Sequence, residues 1–133
     1  MRVLVTGGAG FIGTNLVNRL IELNDEVIIF DNLSTGSQYN INKKAKFFKI
    51  DISKNEPFQD QTMDDVMNGV DVIFHLAALP RIGPSFENPK EVCDVNVGGT
   101  QNILELARKY EIHIHLQNGK VKSYVKCMKK YMD

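Results

Sequence analysis

The chain begins with an unbroken β-branched apolar run, Arg2 to Thr6 (RVLVT), which predicts a strand buried on both faces. From residue 11 to 24 the period changes. Apolar residues Ile12, Leu16, Leu20 and Leu23 then fall at helical spacing and predict a helix with one inward stripe. Further apolar runs at 26–30 (EVIIF), 46–50 and 71–76 (DVIFHL) predict a second, third and fourth strand, with a weakly helical piece at 62–68. A long helix follows over 89–110, with Val92, Val95, Ile103, Leu104 and Ala107 as inner positions. Gly98 and Gly99 interrupt it, each at about 1 kcal/mol relative to alanine, which predicts close packing on a neighbouring element. Residues 112–116 (IHIHL) read as a fifth strand. Strands alternating with helices make βαβ units, so the expected fold is α/β, a doubly wound parallel sheet that stops after about the fifth strand.

Between the first strand and the first helix lies VTGGAGFIGTNL, residues 5–16. That setting gives the glycine spacing its meaning. Gly7 allows a tight turn out of the strand. Gly10 removes a side chain where a pyrophosphate would approach the backbone, and Gly13 lets the helix lie close to the sheet. The helix start offers unpaired N–H groups and a positive dipole end to phosphates. The second strand runs into Asp31, placed to accept from both hydroxyls of a ribose and to repel a 2′-phosphate. The pattern therefore points to NAD rather than NADP on a Rossmann-type domain. Asp51 either contributes to the adenine pocket or caps a turn. His75, on an apolar strand, reads as a satisfied core histidine more readily than as a catalyst. His113 and His115 alternate, and two histidines without a third ligand make a poor metal site.

Composition narrows the partners. The 133 residues carry 16 basic and 16 acidic side chains, so no overall attraction to nucleic acid or an anionic membrane is expected. The apolar runs are far shorter than the roughly 20 residues of a membrane-spanning helix, and the N-terminus lacks a signal-peptide pattern. The two cysteines, Cys93 and Cys127, have neither disulfide-framework nor zinc spacing. These features predict a cytoplasmic protein. Residues 1–116 form the expected nucleotide-binding domain, and 117–133 a lysine-rich tail with no assigned domain.

The motifs VTGGAGFIG (5–13), DNLSTG (31–36), DI (51–52), HLAA (75–78) and NVGGT (96–100) together resemble the extended short-chain dehydrogenase/reductase family. The resemblance is strongest to nucleotide-sugar epimerases and dehydratases of the UDP-glucose 4-epimerase type, and it covers about residues 1–110. It implies that Phe11 and Ile12 present their backbone to the pyrophosphate. Asp31 would hold the adenosine ribose, with Asn32, Ser34, Thr35 and Gly36 lining that side. Asp51 and Ile52 would flank the adenine. Leu76, Ala77 and Ala78 would lie under the nicotinamide half, and Asn96 would order the loops beside it. A UDP-sugar substrate, and a homodimer formed through helices that include 89–110, are implied in the same way.

The family's Ser/Thr motif SSxxVYG and its YxxxK helix are missing after residue 112, where the chain reads HIHLQNGK. Tyr39 and Lys43 fit YxxxK literally, but at the adenosine end; Tyr124 has Met128, not lysine, four residues on. No catalytic residue is therefore assigned. The expectation is a truncated, NAD-binding portion of an epimerase, inactive alone, with its last twenty or so residues read out of frame. A non-catalytic NAD-binding module, or an enzyme completed by a second chain that supplies the Ser, Tyr, Lys and substrate domain, are the alternatives.

Overall fold

The computed structural model describes residues 1–54, 62–80 and 82–116. The apolar runs become β1 (Arg2–Thr6), β2 (Glu26–Asp31), β3 (Lys46–Lys49), β4 (Val72–His75) and β5 (His113–Leu116). They form one sheet in the order β3-β2-β1-β4-β5, and every pairing is parallel. The chain thus winds outward from β1 to β3, then crosses back to place β4 on the other side of β1. Open α/β sheets bind ligands at the carboxyl ends of strands at such a reversal. Register brings the functional ends level there, with Thr6 opposite both Phe30 and His75.

Alternation along each strand feeds two cores. Val3, Val5, Val27 and Ile29 face one way and meet Val17 and Leu20 of helix α1 (Phe11–Glu22). Leu4, Ile28, Phe30 and Ile73 face the other way. They meet Met63 and Val66 of α2 (Met63–Val66) and a long helical stretch near the end of the described chain. Phe30 and Phe48 pack edge to face there, with ring centroids 6.0 Å apart. The three central strands, β2, β1 and β4, are buried on both faces, which is why they read as continuous apolar runs.

Two short helices precede the long stretch: α3 (Ile82–Glu87), in a region where the hydrophobic pattern assigns no element, and α4 (Pro89–Cys93). Asn88 caps α4 by accepting from the Glu91 N–H, and proline sits in the first turn, where its missing N–H costs nothing. The helix then widens into a π-helical turn, Asp94–Gly99, before α5 (Thr100–Lys109). The expected single helix over 89–110 is therefore continuous but wider at its glycines. A Cβ on Gly99 would lie 2.8 Å from the Ile52 side chain, the close packing its cost requires, whereas one on Gly98 would meet nothing.

Inner positions differ from expectation in both long helices. Ile12 in α1 and Leu23 just past its end are exposed, and the buried set is Gly13, Val17 and Leu20. At Gly13 the helix rests on the backbone of Gly7 and Gly8, where a side chain would not fit. In α5, Ile103 and Ala107 are buried as expected, but Leu104 is exposed and Leu106 packs against the core. The lysine-rich tail 117–133 lies outside the described residues. Among the described residues no helix is long and apolar enough to cross a membrane, and no group of three or more His, Cys, Asp or Glu could hold a metal ion. His113 is exposed on the edge strand.

Candidate functional site

The loop after β1 carries the glycines to the switch point. The Gly7 N–H donates to Phe30 O at 2.8 Å, and Gly7 takes a φ of 72°, a left-handed turn suited to glycine. A Cβ at Gly13 would lie 2.1 Å from Gly7 O, so α1 rests directly on the loop's backbone. Gly10 is different. Its φ of −80° suits any residue, and an added Cβ would approach only Gly7 O, at an ordinary 3.4 Å. Neither backbone conformation nor packing requires glycine at position 10; the space beside it opens into a cleft.

That cleft has a volume of about 420 Å³ and runs across the carboxyl ends of β1, β2 and β4, within the range of small-molecule sites. Of the residues singled out from sequence, Gly7, Gly10, Phe11, Ile12, Gly13, Asp31, Asn32, Ser34, Thr35, Asp51, Ile52, Leu76, Ala77 and Ala78 line it. Gly36 and Asn96 do not. Gly36 packs behind the glycine loop, where a Cβ would sit 3.0 Å from Ala9. Asn96 grips the wall from outside, accepting from the Leu79 N–H at 2.8 Å and donating to Leu79 O at 3.1 Å.

Chemistry differs around the rim. At one side is the start of α1. Helix geometry leaves the N–H groups of Phe11, Ile12 and Gly13 without intrahelical acceptors, Gly10 supplies no side-chain cap, and the first turn holds no acid. These donors and the positive end of the helix suit a diphosphate. Opposite them sits Asp31, 8% exposed. Its carboxylate accepts from the Ala9 N–H at 3.0 Å and the Leu33 N–H at 2.8 Å. Two backbone donors leave lone pairs on both oxygens for hydroxyls. Asp31 therefore also fastens the glycine loop, a role that spacing alone does not reveal. Asp51 accepts from the Ser53 N–H and hydroxyl, at 3.0 and 2.7 Å, so it caps a turn while lining the cleft. Among the described lining residues two are acids and none is Lys, Arg or His. Ile52, Leu76, Ala77 and Ala78 supply apolar walls for planar rings.

His75 faces away from this chemistry. It is buried, with Nδ1 2.7 Å from the Thr6 hydroxyl and Nε2 3.0 Å from the Thr100 hydroxyl. Burial pushes its pKa down to about 4. It is a satisfied core residue, as its strand position suggests. Thr6 and Thr100, which lie within the quoted motifs but were given no role there, are site-supporting residues, as is Asn102, outside any motif, which donates to Ile52 O at 2.8 Å. Tyr39 is fully exposed and does not line the cleft.

The family model described as "NAD dependent epimerase/dehydratase family" matches residues 3–122. A putative UDP-glucose 4-epimerase of Methanocaldococcus jannaschii is 50% identical over 112 residues, covering 83% of this chain and 35% of the relative. The structure of a Thermotoga maritima UDP-glucose 4-epimerase with UDP-glucose superposes with a TM-score of 0.76 at 33% identity, covering 87% of this chain and 37% of that one. A Thermus thermophilus UDP-glucose 4-epimerase in complex with NAD superposes with a TM-score of 0.72 at 36% identity, covering 84% and 35%. The chain thus spans about a third of the length of the relatives it matches.

Proposed function

The chain belongs to the NAD dependent epimerase/dehydratase family, and from that premise we propose that it binds NAD in the cleft as the dinucleotide-holding portion of a nucleotide-sugar epimerase. The observation that carries this reading is Gly10, a glycine whose missing side chain no other described residue fills, set between bare helix donors and Asp31. The diphosphate lies against the backbone of Gly10, Phe11 and Ile12. Asp31 accepts from the adenosine ribose, where Asn32, Ser34 and Thr35 close the same side. Asp51 and Ile52 flank the adenine, and Leu76, Ala77 and Ala78 form the wall for the nicotinamide half. Bound there, NAD supplies a reversible hydride acceptor.

The protein's own share is binding and orientation. Asp31 holds the glycine loop through the Ala9 N–H and the ribose through its free lone pairs, so loop shape and ligand contact are linked. Two carboxylates and no cation among the described lining residues disfavour an extra phosphate on that ribose. The substrate class is a UDP-sugar, supported by the relatives' names. The acid–base residues expected from the resemblance do not occur at matching places in these 133 residues, so this chain binds NAD without turning over a sugar alone. The setting is the cytoplasm, consistent with the exposed free thiol of Cys93. Self-association through the helix over 89–109 would cover the exposed Val97 and Leu104, which lie two turns apart.

Calorimetric titration of the purified chain tests this. NAD is expected to bind, with NADP weaker by about tenfold or more, since a 2′-phosphate would face Asp31. Gly10→Ala is expected to weaken NAD by at least about tenfold. Its weaker N-cap costs at most about 1 kcal/mol of stability. Absence of NAD binding by the wild type, or unchanged affinity in a folded Gly10→Ala, refutes the reading.

A further inference from the structure

The wall formed by Leu76 to Pro80 is held at both ends by polar groups that never enter the cleft. At its start, the Thr6 hydroxyl oxygen accepts from the Leu76 and Ala77 N–H groups, each at 3.2 Å. At its far end, the Asn96 amide pairs with both backbone groups of Leu79. These anchors come from β1 and from the π-helical turn, distant in sequence. His75 lies between them.

The hydrogen count fixes how they connect. The Thr100 hydroxyl has one proton and donates it to Asn96 O at 2.7 Å. Toward His75 Nε2, 3.0 Å away, Thr100 can then only accept, so Nε2 carries the proton. Nδ1 is therefore bare and accepts from the Thr6 hydroxyl at 2.7 Å. Donation runs one way throughout. It passes from the Leu76 and Ala77 N–H groups to Thr6, from Thr6 to His75, from His75 to Thr100, and from Thr100 to the backbone of Asn96. Every member is satisfied, and chains of this kind are worth more together than their pairs suggest.

We propose that His75 is a positioning residue for the cleft: as the neutral Nε2–H tautomer it couples the Thr6 anchor to the Thr100–Asn96 anchor, so that the Leu76–Pro80 wall is held as one unit. The effect on ligand affinity rests on the NAD reading above; the coupling does not. Thr100 is the place to break the chain, because it does not line the cleft and its hydroxyl joins His75 to the Asn96 backbone. Thr100→Val removes the acceptor for Nε2–H at nearly constant volume.

Amide hydrogen exchange on the ligand-free protein is the decisive measurement. The Ala77 N–H donates to Thr6, at the opposite end of the chain from Thr100. Coupling predicts that Thr100→Val speeds its exchange by about tenfold or more, and that Thr100→Ser, which keeps the hydroxyl, restores it. Unchanged exchange at Ala77 in Thr100→Val overturns the coupling. The imidazole ¹⁵N shifts of wild-type His75 give a second decision that needs no variant. An Nε2–H ring supports the chain of donation, and an Nδ1–H ring overturns it. NAD titration of the same samples separates the two ideas. If the wild type binds, Thr100→Val should bind about tenfold more weakly, and equal affinity overturns the positioning role. If the wild type does not bind, the functional reading fails, while exchange and tautomer still decide the coupling.

Discussion

Gly13→Ala is expected to lower folding stability by about 3 kcal/mol, the upper end of what overpacking costs. The reason is the identity of what the methyl would strike. At 2.1 Å from Gly7 O, 2.7 Å from Gly8 Cα and 2.9 Å from Gly7 C, every neighbour is backbone, and none can rotate away. The start of α1 must lift from the loop, which strains the Gly10 O acceptor that holds the Thr14 N–H at 2.9 Å and the Thr14 hydroxyl at 2.7 Å. Alanine's better helix propensity returns only about 1 kcal/mol. Gly98→Ala isolates that propensity term. Its Cβ meets nothing within 4 Å among the described residues, so the variant should be up to about 1 kcal/mol more stable than wild type. Urea midpoints of the three proteins check both signs. A Gly13→Ala midpoint equal to wild type would mean that α1 does not rest on the loop. Since marginal domains hold only about 5–15 kcal/mol in total, a shift this large is easily read.

The contrast among glycines shows what the sequence could and could not convey. The spacing of Gly7, Gly10 and Gly13 after a strand pointed to the cleft, because Gly7 and Gly13 shape the loop and Gly10 opens onto the space beside it. The strands were legible as well, since a parallel sheet buried on both faces leaves unbroken apolar runs. The helix faces were less so. The stripe Ile12–Leu23 took only apolar side chains as inward, but the buried face runs through Gly13, Val17 and Leu20 and leaves Ile12 51% exposed at the cleft. On the later helix, the inward residues Val95, Gly99, Ile103 and Ala107 step by four. Each such step overshoots a turn by about 40°. Leu104 lies about 100° around the helix from Ile103, at the edge of that stripe, and is exposed. The hydrogen-bond chain through Thr6, His75 and Thr100 was invisible in principle. It joins residues from three elements, and no period or spacing reports on where hydroxyls meet in space.

The same chain makes the fold acid-sensitive in a definite window. In the folded protein His75 must stay neutral, because burial opposes its charge and Nδ1 already receives the Thr6 proton. Its pKa is about 4 in the fold against an ordinary 6.5. Below 6.5 the unfolded chain therefore binds a proton that the folded chain refuses, and stability must rise with pH through that range. The contribution is fully present above about pH 6.5, is lost progressively as pH falls, and levels off below about 4. It amounts to about 3 kcal/mol in all, of which roughly 2 kcal/mol lies between pH 7 and pH 5. Carboxylates complicate the lower end, since Asp65 and Glu26 are held below their usual range by hydrogen bonds to Thr62 and Lys46 and lose their own contributions there. The comparison therefore belongs between pH 7 and pH 5, above their titration. Wild type should lose roughly 2 kcal/mol more than His75→Asn across that interval by urea denaturation. The asparagine oxygen can still accept from Thr6, so this variant starts from a lower stability but a flatter profile. Parallel profiles would show that His75 takes up its proton as readily in the fold as in the unfolded chain, and the one-way donation through Thr6, His75 and Thr100 could not then stand.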